Sequence, residues 1–116
     1  MQQLPIFVNL AGRHVILVGD GEPAEAKARL VRAAGGELVG EDSADAVLAF
    51  VAIEDDAEAQ AAATRLRARG LLVNVVDKPA MSDFLMGAII DRSPVVVAIS
   101  TAGASASLAR ALRTRL

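Results

Sequence analysis

Leu71-Leu72-Val73-Asn74-Val75-Val76-Asp77 decides the fold. An apolar run rich in β-branched residues reads as a fully buried strand of the kind found in parallel sheets. This one ends on a carboxylate, and in an open parallel sheet the carboxyl ends of the strands face the ligand crevice. Asp77 in that place suits a base or an electrostatic anchor, because apolar surroundings lift a carboxyl pKa toward a working range. The competing reading is a turn residue ahead of Lys78-Pro79.

Upstream, His14-Val15-Ile16-Leu17-Val18 is a second buried strand, closed by the tight turn Gly19-Asp20-Gly21. Pro23 suits the first turn of a helix. That helix carries Ala24, Ala28, Leu30 and Val31 on one face, with Lys27, Arg29 and Arg32 elsewhere, and stops at Gly35-Gly36. Leu38-Val39-Gly40 reads as a brief strand and Ala46 to Ile53 as another. Asp55 and Glu58 make a capping-box-like start to an Ala-rich helix that closes on Arg67, Arg69 and Gly70. This alternation predicts an α/β fold with a parallel sheet and right-handed crossovers. Beyond Pro79, Pro94 introduces the strand Val95–Ile99, Ser100 to Ser107 reads as a small-residue loop, and Leu108 to Leu116 as a last helix.

Composition narrows the function classes. The chain has 116 residues, 53% of them hydrophobic, yet no unbroken apolar run long enough to span a membrane. There is no Cys, so disulfides and thiol chemistry are excluded. With no leader-like N-terminus, a cytoplasmic location is expected. Aromatic residues make up 3% with no Trp or Tyr, which leaves no stacking platform for nucleic acid. No nucleic-acid or membrane partner is expected. Charge is uneven: every charged residue from Glu37 to Glu58 is acidic, and every one after Asp91 is Arg. Such a basic end faces either an anionic ligand or solvent.

Two stretches carry candidate chemistry. Gly19-x-Gly21-x-x-Ala24 lies between a strand and a helix, the setting of a dinucleotide fingerprint. The first Gly makes the turn, the second lets the backbone approach a pyrophosphate, and Ala keeps helix and sheet close. Glu41 and then Asp42 follow Gly21 by about 20 residues, where an acid binds a ribose hydroxyl. Glu22, a negative charge at the positive helix end, and Pro23, which lacks an amide donor, count against a phosphate there. The second stretch, Ser100-Thr101-Ala102-Gly103-Ala104-Ser105, offers amides and hydroxyls to carboxylates or phosphates, with Arg110 a turn further on; ordinary helix capping by Ser105 is the competing reading. His14, the single histidine, reads as structural, and no residue set reads as a metal site.

Leu4-Pro5-Ile6-Phe7, Val18-Gly19-Asp20-Gly21, Ala26-Lys27, Val73 to Asp77, Phe84, Asp91-Arg92-Ser93-Pro94, Val97 to Thr101, Gly103 and Leu108-Ala109-Arg110 stand in an order that resembles siroheme synthase. The likeness is to its precorrin-2 dehydrogenase and sirohydrochlorin ferrochelatase module, and it runs over nearly the whole chain. It implies a Rossmann-like parallel sheet with flanking helices plus a C-terminal dimerisation strand and helix. Residues 1–80 would form a shortened NAD-binding part and residues 81–116 the dimerisation and tetrapyrrole-cleft extension, in a single compact unit.

The resemblance further implies NAD-dependent oxidation of precorrin-2 to sirohydrochlorin, insertion of ferrous iron, and a homodimer. Asp77 would be the acid/base residue. Gly19, Asp20, Gly21, Glu22 and Pro23 would contact NAD, with Asp42 and Ser43 on the adenosine side. Asn74, Ser100, Thr101, Gly103 and Ser105 would line the tetrapyrrole cleft, and Thr101 stands where some family members carry a regulatory Ser. The chain departs from the family pattern at Asp20, usually Gly, and at Gly87, usually Pro. Ile53-Glu54-Asp55 replaces a Thr-Asp pair, a helix and a strand are missing ahead of Ala46, and a helical region after the last helix is absent. These departures leave two alternatives: a non-catalytic tetrapyrrole- or NAD-binding module, or a chelatase without dehydrogenase activity.

Overall fold

The computed structural model describes residues 1–102 and 106–115. Two compact units are present: Phe7–Phe84, and Leu85–Leu116 together with Met1–Ile6.

The first unit is the parallel sheet. It holds β1 (His14–Gly19), α1 (Glu22–Ala33), β2 (Glu37–Val39), β3 (Leu48–Ala52), α2 (Asp56–Arg67) and β4 (Leu72–Val75). The strand order is β2-β1-β3-β4, all parallel, with Phe50 opposite Leu17 on one side and Asn74 on the other. The expected α/β fold, a parallel sheet with flanking helices, is therefore present. α1 packs through Ala24, Ala28 and Val31, spaced at four and then three residues, and α2 through Ala59, Ala62, Ala63 and Leu66. Alanines at these positions let the helices sit close, and Leu66, fully buried, fills the space below α2 with Ile16, Val51, Val73 and Val75.

Some expectations need correction. The strand after Gly70 ends at Val75, and Val76-Asp77 already form a turn. Lys27 lies on the half-buried side of α1 and not on its solvated side. The strand expected over Ala46 to Ile53 is Leu48–Ala52. No helix joins β2 to β3; residues 40–47 make that crossover alone, as the missing element pair predicted.

β4 is an edge strand, and the chain covers its open side without adding a strand. Val73 N donates to Asp83 Oδ2 at 2.9 Å, Asp83 N donates to Val73 O at 2.7 Å, and Val75 N donates to Ser82 Oγ at 2.9 Å. Side chains thereby satisfy donors that would otherwise template association. Arg67 holds the Asp83 carboxylate in turn, at 2.9 Å.

The second unit is a hairpin of β5 (Ala88–Arg92) and β6 (Val95–Ile99), with α3 (Ala106–Arg115) packed on both strands. β5 escaped the sequence reading. Arg92 pairs with Val95 across the two-residue turn Ser93-Pro94, whose Ser93 amide donates to Asp91 Oδ1 at 3.1 Å. Helix α3 starts at Ala106, two residues earlier than expected.

Candidate functional site

In the sheet, β1 leads outward to β2 while the next connection returns past β1 to β3, so the order reverses between β1 and β3. A crevice opens at the carboxyl ends of the strands at such a point. Its floor is set by Gly19, at φ 113°: a Cβ built there would lie 2.1 Å from the Ala52 carbonyl oxygen. Only glycine permits this approach of β1 to β3. Gly21, at φ 86°, is different, because a Cβ there meets nothing closer than Pro23 Cδ at 3.9 Å. The space above it is open.

α1 begins directly after Gly21. Its first backbone bond runs from Glu25 N to Gly21 O at 3.0 Å, which leaves the amides of Glu22 and Ala24 without acceptors in the helix. Pro23 supplies none. Glu22 does not cap the helix; its carboxylate turns back to Arg29 Nη2 at 2.8 Å. The negative charge that opposes a phosphate is therefore partly neutralised by a cation two turns along. Asp20 is exposed beside this turn.

Asp77 stands at the rim of β4. Lys78 N donates to Val75 O at 3.0 Å, closing a four-residue turn. Asp77 has φ 63° while Val76 is not left-handed, the pattern of a type II turn, whose third position favours glycine. A carboxylate is thus mounted where the backbone would prefer no side chain, and such exceptions gather at functional sites. Asp77 is exposed, so the apolar enclosure expected from the preceding run is absent. The electrostatic neighbour of Asp77 is Lys27 on α1. Burial pushes the Lys27 ammonium down from its ordinary pKa, and the Asp77 charge partly restores it. Lys78, next to Asp77, pairs with Asp56 at the start of α2. The spacing of Lys27 with Ala24 and Val31 was the signal that could have placed this cation on the inner side of α1.

The remaining predicted residues fall apart into different surroundings. Glu41 is engaged by Arg65 through two bonds of 2.8 and 3.1 Å, which hold its carboxyl below the usual carboxylate range. That leaves Asp42, exposed, as the free acid of the pair. Ser43 donates from Oγ to Asp45 Oδ1 at 2.9 Å, and its carbonyl accepts from Arg69. Asn74 is 5% exposed and donates from Nδ2 to Phe84 O at 2.9 Å, while its Oδ1 has no partner. Phe84 meets Phe50 edge to face at 5.6 Å. Asn74 thereby fixes the segment that leaves the sheet.

Ser100 belongs to the second unit, where its Oγ donates to Gln3 Oε1 at 2.9 Å and accepts from Ala102 N at 3.1 Å. Thr101 is half-buried, and Gly103 and Ser105 lie outside the described residues.

A family model described as "Putative NAD(P)-binding" matches residues 30–88, from the last turn of α1 to the first residue of β5. The siroheme synthase of Thiobacillus denitrificans is 41% identical over all of this chain and 30% of its own length. Siroheme synthase 2 of Cronobacter sakazakii is 40% identical, over all of this chain and 31% of its own length. The chain therefore spans about 30% of the length of these curated relatives. The alignments run over 143 residues against 116 here, so at least 27 positions have no counterpart in this chain. A solved structure of SirC, precorrin-2 dehydrogenase, superposes with TM-score 0.72 at 21% identity, covering 97% of this chain and 69% of that one, which establishes the shared fold.

Proposed function

The chain belongs to this NAD(P)-binding family, and from that premise we propose that it is the dinucleotide-dependent module of a siroheme-forming enzyme. In this reading it oxidises precorrin-2 to sirohydrochlorin, with NAD as acceptor. The siroheme synthases that align along its whole length support it. The observation that carries it is Asp77: a carboxylate at the rim of β4, in a left-handed turn that glycine would occupy without strain.

The residues present fit a dinucleotide. Gly21 leaves room for a pyrophosphate against the free amides of Glu22 and Ala24, and Gly19 closes the crevice floor. Asp20 and Pro23 complete that turn, and Asp42 with Ser43 would receive the adenosine side. A nicotinamide bound there supplies hydride acceptance. The oxidation removes one hydride and one proton from the macrocycle, and Asp77 takes the proton. Lys27 on α1 is the electrostatic neighbour of this carboxylate. Asn74 acts by holding Phe84, while Ser100, Thr101, Gly103, Ser105 and Arg110 would meet the carboxylates of the tetrapyrrole.

Labour would divide with residues 1–80 on the nucleotide and residues 81–116 on dimerisation and the tetrapyrrole. An isolated two-stranded hairpin is marginal in water. Val95, Val96, Leu108 and Leu112 are exposed on the second unit, which supports a homodimer that covers them. Among the described residues no helix is long and apolar enough to cross a membrane, and a cytoplasmic site of action fits the chemistry.

The chelatase reading is favoured by one observation: Glu41, the first candidate for the ribose, is spent on Arg65. Iron insertion exchanges ferrous ion for two pyrrole protons and needs no dinucleotide, and Asp77 would again receive a proton.

The test is Asp77→Asn, which keeps a residue tolerant of the left-handed turn. Oxidation of precorrin-2 with NAD is expected to fall by about 100-fold or more. Asp77→Gly should fold at least as well and be equally inactive. Full activity of either variant removes Asp77 from the mechanism. Iron insertion that persists without NAD, with no oxidation, selects the chelatase.

A further inference from the structure

At the opposite end of β1 from Gly19, both nitrogens of the His14 ring face carboxylates. Nδ1 lies 2.7 Å from Asp45 Oδ1 on the crossover, and Nε2 lies 3.2 Å from Glu37 Oε2 at the start of β2. Ionised carboxylates only accept hydrogen bonds, whereas a neutral imidazole has a single N–H to give. The imidazolium, with a proton on each nitrogen, suits both contacts at once.

We propose that His14 is a proton-operated latch on the crossover of residues 40–47, closed while the ring carries both protons and released when it gives one up. The crossover has no helix to satisfy its own backbone and is held by other groups. Arg65 takes the Glu41 carboxylate, Arg69 takes the carbonyls of Glu41 and Ser43, and Val47 N donates to His14 O at 3.0 Å. Arginine keeps its charge at any working pH. His14 is the one group in this set whose charge changes near neutrality.

The charged groups around the ring are Asp45 and Glu37, which favour the imidazolium, and Arg13, which lines the same open groove of about 200 Å³ with Gly12, Asp45 and Val47. The balance lies with the carboxylates. The bond to Asp45, the Asp45 charge and then Glu37 raise the His14 pKa above its ordinary value. A raised pKa means that the latch contributes fully below the ordinary histidine value and is lost as pH rises through the raised one.

The test uses the intact chain. As the sole histidine, His14 gives an unambiguous ring signal in proton NMR, followed from about pH 5 to about pH 9 alongside amide exchange of residues 41–47. The ring should titrate above its ordinary value. Protection of 41–47, corrected for intrinsic exchange, should fall between the ordinary histidine value and the ring's own midpoint and level off above it, by tenfold in all for each unit of elevation. Glu37→Gln should lower the midpoint, and His14→Gln should flatten the pH dependence of protection. A ring that titrates at its ordinary value overturns the latch. So does protection that ignores the ring's midpoint, or a His14→Gln variant that keeps the pH dependence. Asp42 and Ser43 ride on the same segment, so dinucleotide affinity should weaken above the midpoint. That consequence rests on the nucleotide reading, and the exchange measurement does not.

Discussion

The crossovers β1 to β2 and β3 to β4 each contain a helix of 12 residues, whereas β2 to β3 is made by residues 40–47 with none. The helical crossovers satisfy their own backbone and present an apolar stripe to the sheet. The helix-free crossover keeps a bond of its own, from Ser43 N to Gly40 O at 3.1 Å, and leaves other donors and acceptors to be met from outside. Here Arg69, just past α2, takes the carbonyls of Glu41 and Ser43, and Val47 N donates to His14 O, while Arg65 and the His14 ring hold the side chains of Glu41 and Asp45. One kind of crossover is held by burial and the other by charge, so the two should respond to different perturbations.

The largest effect is expected on the helical side. Leu66→Ala empties the centre of the α2 contact and should cost about 3 kcal/mol in urea unfolding; a loss under about 1 kcal/mol would mean that α2 is not held by burial. Next comes the start of the same helix, where Asp55 Oδ2 accepts from Glu58 N at 2.9 Å. Asp55→Ala should cost about 1 kcal/mol, read by the same unfolding curve. On the helix-free side Arg69→Ala should cost under about 1 kcal/mol globally. It should nevertheless raise amide exchange of residues 41–45 severalfold with α2 unchanged, and equal effects on both would erase the distinction between the crossovers.

The finest test is pH. Arg65 depresses Glu41, and His14 with Ser43 depresses Asp45, so their contributions are present above the ordinary carboxylate values and lost as pH falls through the depressed ones. His14 is lost at the other end, as pH rises through its raised value. Protection of the helix-free crossover should therefore peak between these limits, while α2 stays flat over the same range. A flat profile for both would count against the charged clamp.

The parallel sheet was legible because its strands are short apolar runs and its helices repeat small residues at helical spacing. Asp55 was legible as a helix start because capping is local. β5 was missed since Ala88–Arg92 pairs only with β6, and its sequence mixes apolar residues with Asp91 and Arg92. Lys27 was misplaced because charge argues for a solvated face, whereas a long stem can run along apolar surface. Glu41 fitted a ribose-binding spacing, and no local signal revealed that Arg65, 24 residues away, occupies it.

Sequence alone determined the α/β class, the glycine turn after β1 and the carboxylate at the rim of β4. These follow from hydrophobic periodicity and backbone preference, which act over a few residues. Tertiary structure alone decided that Asp77 is exposed in a left-handed turn, that Arg65 withdraws Glu41, and that His14 bridges two acids. Each of those depends on which side chains meet across the sheet, a matter settled when the crossovers pack.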